Sequence, residues 1–248
     1  MHDCSPPSSF LCWDLEIPLA LRTLAEDLAA AERSSNAGAP AEAAGQPQRF
    51  WRSGRTLRVR FLDGAELADR VLTAASAWTR HAELEFVHVT SGDAEIRVTF
   101  EGVGNWSALG TDALLTQVFP PDAPTLCLSE LPSAISSSRV DRLARHEFGH
   151  ALGLIHEHSS PAAGIRWDRE TVYAALAQPP NSWTREQVDH NVFQVYDRTT
   201  TNFTEFDPES VMLYAFPAEW TLDGVTFPEN STLSQRDEDF VRTNYADV

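Results

Sequence analysis

The stretch HEFGHALGLIH, residues 146–156, decides how this chain is read. His146 and His150 stand four apart inside a segment, Ser138–Leu152, whose apolar residues Val140, Leu143 and Leu152 recur at helical spacing. On a helix, side chains four apart project from one face, one turn apart. Two imidazole nitrogens so placed reach one ion at about 2.0–2.1 Å. Gly153 stands where the helix should stop, and a glycine adopts positive φ at little steric cost. The resulting turn brings His156 back to the same ion. Three neutral imidazoles leave a fourth position for water, which marks a catalytic zinc site rather than a closed structural one. Glu147 adjoins the first ligand and can lean toward a metal-activated water without ligating. The expectation is therefore one Zn2+ ion on His146, His150 and His156, with Glu147 as general base for hydrolysis.

Working outward, the next informative segment lies 54 residues beyond His156 and reads SVMLY, Ser210 to Tyr214. Met1 and Met212 are the only methionines. A lone methionine in a loop is usually core filler. Beside a zinc motif, the segment resembles the Met-turn of the metzincins, whose methionine packs beneath the metal. Taken together, HEFGHALGLIHE and SVMLY resemble the astacin-like branch of the metzincin zinc peptidases. Glu157, directly after the third histidine, and Tyr214, two residues past Met212, carry that resemblance.

The resemblance implies an α+β, two-lobe fold. A mixed twisted sheet and the active-site helix form the upper lobe, and an irregular, mostly helical lobe lies below. It implies that Tyr214 is a swinging fifth ligand that stabilises the tetrahedral intermediate. It also implies that Glu157 anchors a newly formed N-terminal ammonium. The upper-lobe edge strand, near Trp106–Gly110, would bind substrate backbone by strand addition. Leu213 departs from the histidine common at this position in animal members, and the paired cysteines of the branch are missing. No family-type inhibitory segment is evident. These departures point to a microbial relative.

Composition sets the outer limits. The 248 residues can bury roughly 70% of their unfolded surface, enough for one large domain or two lobes without disulfide staples. Nineteen Lys and Arg against 36 Asp and Glu give a net charge of −17, which repels nucleic-acid phosphate and otherwise reads as solubility. The sequence has no apolar run of about 18 residues, so no membrane span is expected. MHDCSPPSSF has no basic stretch ahead of an apolar one, so the chain as given reads as cytoplasmic, or as secreted if a leader was trimmed. Cys4, Cys12 and Cys127 are not a disulfide framework, although a Cys4–Cys12 bridge could close a short loop.

The chain divides near residue 54. Residues 1–54 read as an N-terminal extension: a helix over Pro18–Arg33, then the linker SSNAGAPAEAAGQPQ. Residues 55–248 read as the catalytic domain, with an upper lobe to about 153 and a lower lobe after it. RTLRVRFL alternates as a strand, and Leu67, Val71, Ala75 and Trp78 keep helical spacing. Strands follow at Leu84–Val89 and Glu95–Phe100. Short helices are expected at Asp168–Leu176 and Thr184–Tyr196. A last helix starts at Ser234, where Ser234 and Asp237 resemble a capping box.

The extension raises one hypothesis. It covers the cleft, with Cys4, Cys12 or Asp14 in the open zinc position, since related metzincins are held latent by Cys or Asp. His158 reads as solvated, His81, His88 and His190 as surface or hydrogen-bonded, and Trp106 and Trp220 as core, with cleft lining the alternative. The expected activity is that of a monomeric zinc endopeptidase acting on peptides or proteins. The rivals are a processing peptidase for one partner and a non-catalytic zinc-binding module. The intact Glu147 argues against the module. The pocket for the residue after the scissile bond would be built by Ala215 to Trp220.

Overall fold

The computed structural model describes residues 11–37, 49–131, 136–196 and 205–246. The upper lobe is built on a five-stranded sheet: β1 (Arg55–Phe61), β2 (Leu84–His88), β3 (Ile96–Thr99), β4 (Asn105–Ser107) and β5 (Leu126–Leu128), in the order β2-β1-β3-β5-β4. In β1 the buried Leu57 and Val59 alternate with arginines, as period-two patterning requires. β1 pairs parallel with β2 and β3, and β3 parallel with β5; only β4 runs antiparallel, beside β5. Parallel neighbours need a crossover, which helix α2 (Ala68–Thr79) supplies between β1 and β2. Its Val71, Ala75 and Trp78 face the core. The mixed sheet with packed helices is the expected α+β architecture.

The edge strand β4 is shorter than expected and starts earlier. Residues Gly110–Leu114 form a 3-10 turn rather than extended chain. Gly110 takes φ +50°, and a Cβ there would lie 1.9 Å from the Arg49 carbonyl oxygen. The segment Arg49–Trp51 thus presses directly on this turn. It also reaches the end of α3 (Ser137–Ala151), the helix carrying His146 and His150. Trp51 Nε1 donates to the Ala151 carbonyl, and the Tyr245 hydroxyl donates to that of Leu152. These contacts satisfy carbonyls that a helix end otherwise leaves bare. Phe50 and Trp51 lie in the same core as β1 and α3, ahead of residue 55. Burying side chains of this kind contributes about 1.5–3 kcal/mol each.

Helix α1 (Arg22–Glu32), preceded by a 3-10 turn at Leu19–Leu21, lays Ala25 and Ala29 against the upper lobe. Arg97 on β3 is buried. Its guanidinium donates to the carbonyls of Ala94, Phe119 and Ala123, tying the long β3–β5 connection back to the sheet.

The lower lobe has its own apolar cluster, including Val172, Trp183, Val192, Phe216 and Trp220. Helix α4 (Arg169–Leu176) agrees with expectation, but the next helix does not run unbroken to Tyr196. Helix α5 (Arg185–Val188) passes into a π turn at Asp189–Phe193. Helix α6 (Gln235–Asn244) begins at the Ser234–Asp237 capping box. The Asp237 carboxylate also accepts from Val211 N and Ser210 Oγ, so one side chain fastens the C-terminal helix to the SVMLY turn. Among the described residues, no helix is long and apolar enough to cross a membrane.

Candidate active site

α3 stops where the glycine predicted. Gly153 takes φ +94°, and the chain turns under Phe50 and the Arg49 carbonyl. The turn brings the Nε2 atoms of His146, His150 and His156 within 3.0–3.2 Å of one another. Each ring is held from behind through Nδ1. His146 meets the Val211 carbonyl at 2.8 Å, His150 the Leu154 carbonyl at 2.8 Å, and His156 the Asp14 carboxylate at 3.0 Å. Carbonyl and carboxylate oxygens only accept, so each Nδ1 carries the proton and each Nε2 presents a lone pair. Three converging lone pairs, buried together, repel unless a cation lies between them.

The surroundings fit a divalent ion on other grounds too. Burial lowers the pKa of all three imidazoles, which keeps them in the neutral, ligating form. Burial pushes the Glu147 carboxyl up to about 8, and its Oε1 has no hydrogen-bond partner. A nearby cation reverses that preference and stabilises the carboxylate. His146, His150 and His156 are thus a fitting donor set for zinc.

A fourth donor stands among them. Cys12 Sγ lies with the three imidazole nitrogens inside a 4.8 Å cluster and donates to Glu147 Oε2 at 3.4 Å. Of the candidates Cys4, Cys12 and Asp14, Cys12 occupies the open side. Asp14 instead supports His156 from behind, and Cys4 lies outside the described residues. Cys12 and Cys127 are free thiols, and the possible Cys4–Cys12 bridge falls on a residue outside the described ones.

The chain around Cys12 is gripped from both banks of a cleft. Above, Trp13 N donates to the Asn105 carbonyl of β4, and Cys12 forms a parallel bridge with Asn105. Below, Leu11 N donates to Asn181 Oδ1, Asp14 N donates to Asn191 Oδ1, and Trp13 meets Trp183 edge-on. Glu16 lies 3.4 Å from His190.

Tyr214 donates its hydroxyl to the Cys12 carbonyl, and its ring centroid is 4.3 Å from those of His156 and His158. Met212 is fully buried, with its sulfur against Gly149 of the helix that carries His146 and His150. Glu157 accepts from Asp207 N, and burial raises its carboxyl to about 8. His158 corrects the expectation of a solvated side chain. It is buried against Tyr214 and Trp167, and burial lowers its pKa to about 4. Trp220 is core, as expected, and Trp106 packs on the upper core. His81 and His190 face acidic partners. Sequence reasoning missed Asn181 and Asn191 altogether.

A sheet whose edge strand overlooks three histidines and a glutamate, floored by a buried methionine, defines a zinc peptidase. Residues 56–166 match the Matrixin family of peptidases, Peptidase_M10. A structure of myroilysin superposes with a TM-score of 0.76 and 36% identity, covering 81% of this chain and 97% of that one. A second myroilysin structure gives a TM-score of 0.62 and 31% identity over 94% of this chain and 100% of that one. Residues 49–248 alone cannot supply that share, so the likeness extends into the N-terminal region. The chain belongs to the metzincin zinc metallopeptidases, zinc-dependent endopeptidases. High choriolytic enzyme 1, a hatching enzyme zinc-protease from Oryzias latipes, shares the fold at a TM-score of 0.54 and 20% identity, covering 80% of this chain and 94% of that one. Human matrix metalloproteinase-20 is 29% identical over 111 residues, 41% of this chain. This chain spans only 23% of that curated relative's length.

Proposed function

We propose that this chain is a latent, monomeric zinc endopeptidase that cleaves peptides or proteins once residues 11–16 leave the cleft. The observation that carries the reading is Cys12 standing on the open side of the histidine cluster, with Tyr214 and Glu147 both bonded to that same residue. Every group of the site comes from one chain. Because Phe50 and Trp51 belong to the core, we place the start of the catalytic unit near Arg49 rather than at residue 55.

In this reading His146, His150 and His156 hold the ion, which when bound supplies Lewis acidity and an activated water. Glu147 accepts a proton from the attacking water and returns it to the leaving amine. A substrate strand adds to β4 in place of residues 12–13. Tyr214, freed from the Cys12 carbonyl, turns its hydroxyl toward the developing oxyanion. Met212 supports the site from below. Glu157 secures the segment before the Met-turn through Asp207 N, and its internal hydrogen bond gives no support to an ammonium partner.

The test is cleavage of a proteome-derived peptide mixture, with and without a zinc chelator, by the full chain, C12A and E147A. C12A should exceed the full chain by more than about tenfold, because each 1.4 kcal/mol of lost closing contact is tenfold in the open population. E147A should keep its zinc yet fall at least roughly 10²-fold below its parent after removal of the segment. Equal rates for C12A and the full chain would refute latency, and an active E147A would refute the base.

A further inference from the structure

We propose that Asn191 is a substrate-positioning residue whose side-chain carbonyl accepts a backbone N–H of the bound peptide, on the bank opposite β4. The inference rests on the reading that residues 11–14 occupy the substrate's place.

The latent chain shows what this bank offers a peptide. Asp14 N donates to Asn191 Oδ1 at 2.8 Å, while Trp13 N, one residue earlier, donates upward to Asn105 at 2.9 Å. An extended backbone presents N–H groups to both sides, so a strand on β4 necessarily sends some of them toward Asn191. The carboxamide cannot turn away. Its Nδ2 donates to the Gln187 carbonyl at 2.7 Å, which leaves Oδ1 facing the cleft. The Asn191 backbone is fixed as well, since its carbonyl accepts from His158 Nε2 at 3.1 Å. The residue sits in the middle of the π turn Asp189–Phe193, a wide turn that recurs at functional sites.

Asn191 is 1% exposed. That burial holds with residues 11–14 in place; when Asp14 departs, Oδ1 is left lining the opened cleft without its protein donor. A substrate N–H restores the lost bond. The cleft then grips its peptide from two sides: a main-chain carbonyl on β4 and a preset side-chain carbonyl below. A pre-oriented acceptor of this kind fixes the scissile bond's position along the cleft at little entropic cost.

The experiment uses the zinc-loaded full chain after limited proteolysis has removed the segment. Its substrate is a peptide that the enzyme cuts in the mixture, together with a series carrying one backbone N-methyl group at each position in turn. One N-methyl position should lower kcat/KM by about tenfold or more in the parent enzyme, and by less than about twofold in N191A, since the acceptor it offends is gone. N191A should cut the unmethylated peptide roughly 5–30-fold more slowly, the worth of one buried hydrogen bond. N191D keeps an acceptor oxygen but loses the donation to the Gln187 carbonyl, so it should retain the methyl penalty in part, which preserves the test if N191A does not fold. Identical N-methyl profiles in the parent enzyme and N191A overturn the inference, as does a penalty absent from N191D. A parent enzyme that binds zinc but cuts nothing after proteolysis overturns the reading of the segment, and the inference with it.

Discussion

Replacing Gly149 with alanine should unseat the floor of the zinc site. A Cβ at Gly149 would lie 2.4 Å from Met212 Sδ, 3.2 Å from Met212 Cε and 3.0 Å from Trp78 Cζ2. Ordinary contact is about 3.5–4.0 Å, so the sulfur must retreat by more than about 1 Å. Met212 is fully buried, so the retreat displaces its neighbours. Overpacking of this kind costs about 1–3 kcal/mol, offset by up to about 1 kcal/mol because alanine favours the helix over glycine. The expected net loss for G149A is roughly 1–2 kcal/mol. M212A leaves a cavity instead and should cost about 2–5 kcal/mol. In the double variant the new methyl enters space the methionine has left, so the two effects should fall short of their sum by roughly 1.5–3 kcal/mol. Urea unfolding of the four zinc-loaded proteins measures this coupling. Zinc affinity by competition with a chromogenic chelator should fall about tenfold in G149A, because the turn also carries the Val211 carbonyl behind His146. Additivity within about 0.5 kcal/mol would refute the claim that Gly149 and Met212 share one packed contact.

Asp14 stands behind His156, so D14N in the full chain should weaken zinc binding by about 10–100-fold, read by the same competition assay. Tyr214→Phe, in the enzyme freed of its segment, should lower kcat more than it raises KM, because the hydroxyl's contact strengthens in the transition state; steady-state kinetics reads the split. Glu157 holds its proton up to about pH 8 when folded, against an ordinary 4.5, so folding binds the proton. Its contribution is therefore most favourable at low pH and is lost as pH rises from about 4.5 to 8, by roughly 3–5 kcal/mol. E157Q should flatten this part of the urea-stability profile, and an unchanged slope would count against the buried carboxyl.

The convergence of the three histidines was legible because its information is local. Two histidines four apart, a glycine at the helix end and a third histidine need only helix geometry and one positive φ. Met212 and Tyr214 were legible through a short motif. What closes the cleft was not. Asp14 N meets Asn191 and Cys12 meets Glu147 across 177 and 135 residues, distances at which no periodicity carries a signal. The sequence could nominate Cys4, Cys12 and Asp14 but not rank them, since ranking depends on which side of an imidazole each one reaches. Asn191 had no signal, because a single asparagine usually reads as a turn or a cap. His158 misled for the opposite reason. A polar residue after a motif looks solvated until Tyr214 and Trp167 are found packed on it. Strand alternation begins at residue 55, yet Phe50 and Trp51 enter the core ahead of it without any pattern.

Arg97 bears on how metal stripping of this enzyme is to be interpreted. Its guanidinium gathers the carbonyls of Ala94, Phe119 and Ala123 much as a bound cation would, but it is covalently part of the chain. A chelator cannot extract it, and its charge persists across any pH at which the protein folds. The β3–β5 connection above the cleft therefore keeps this anchor whatever the free-metal concentration. Inactivation by a chelator then reports on the histidine-bound ion without this loop unravelling, and restoring zinc should restore activity with no refolding lag from this part of the molecule.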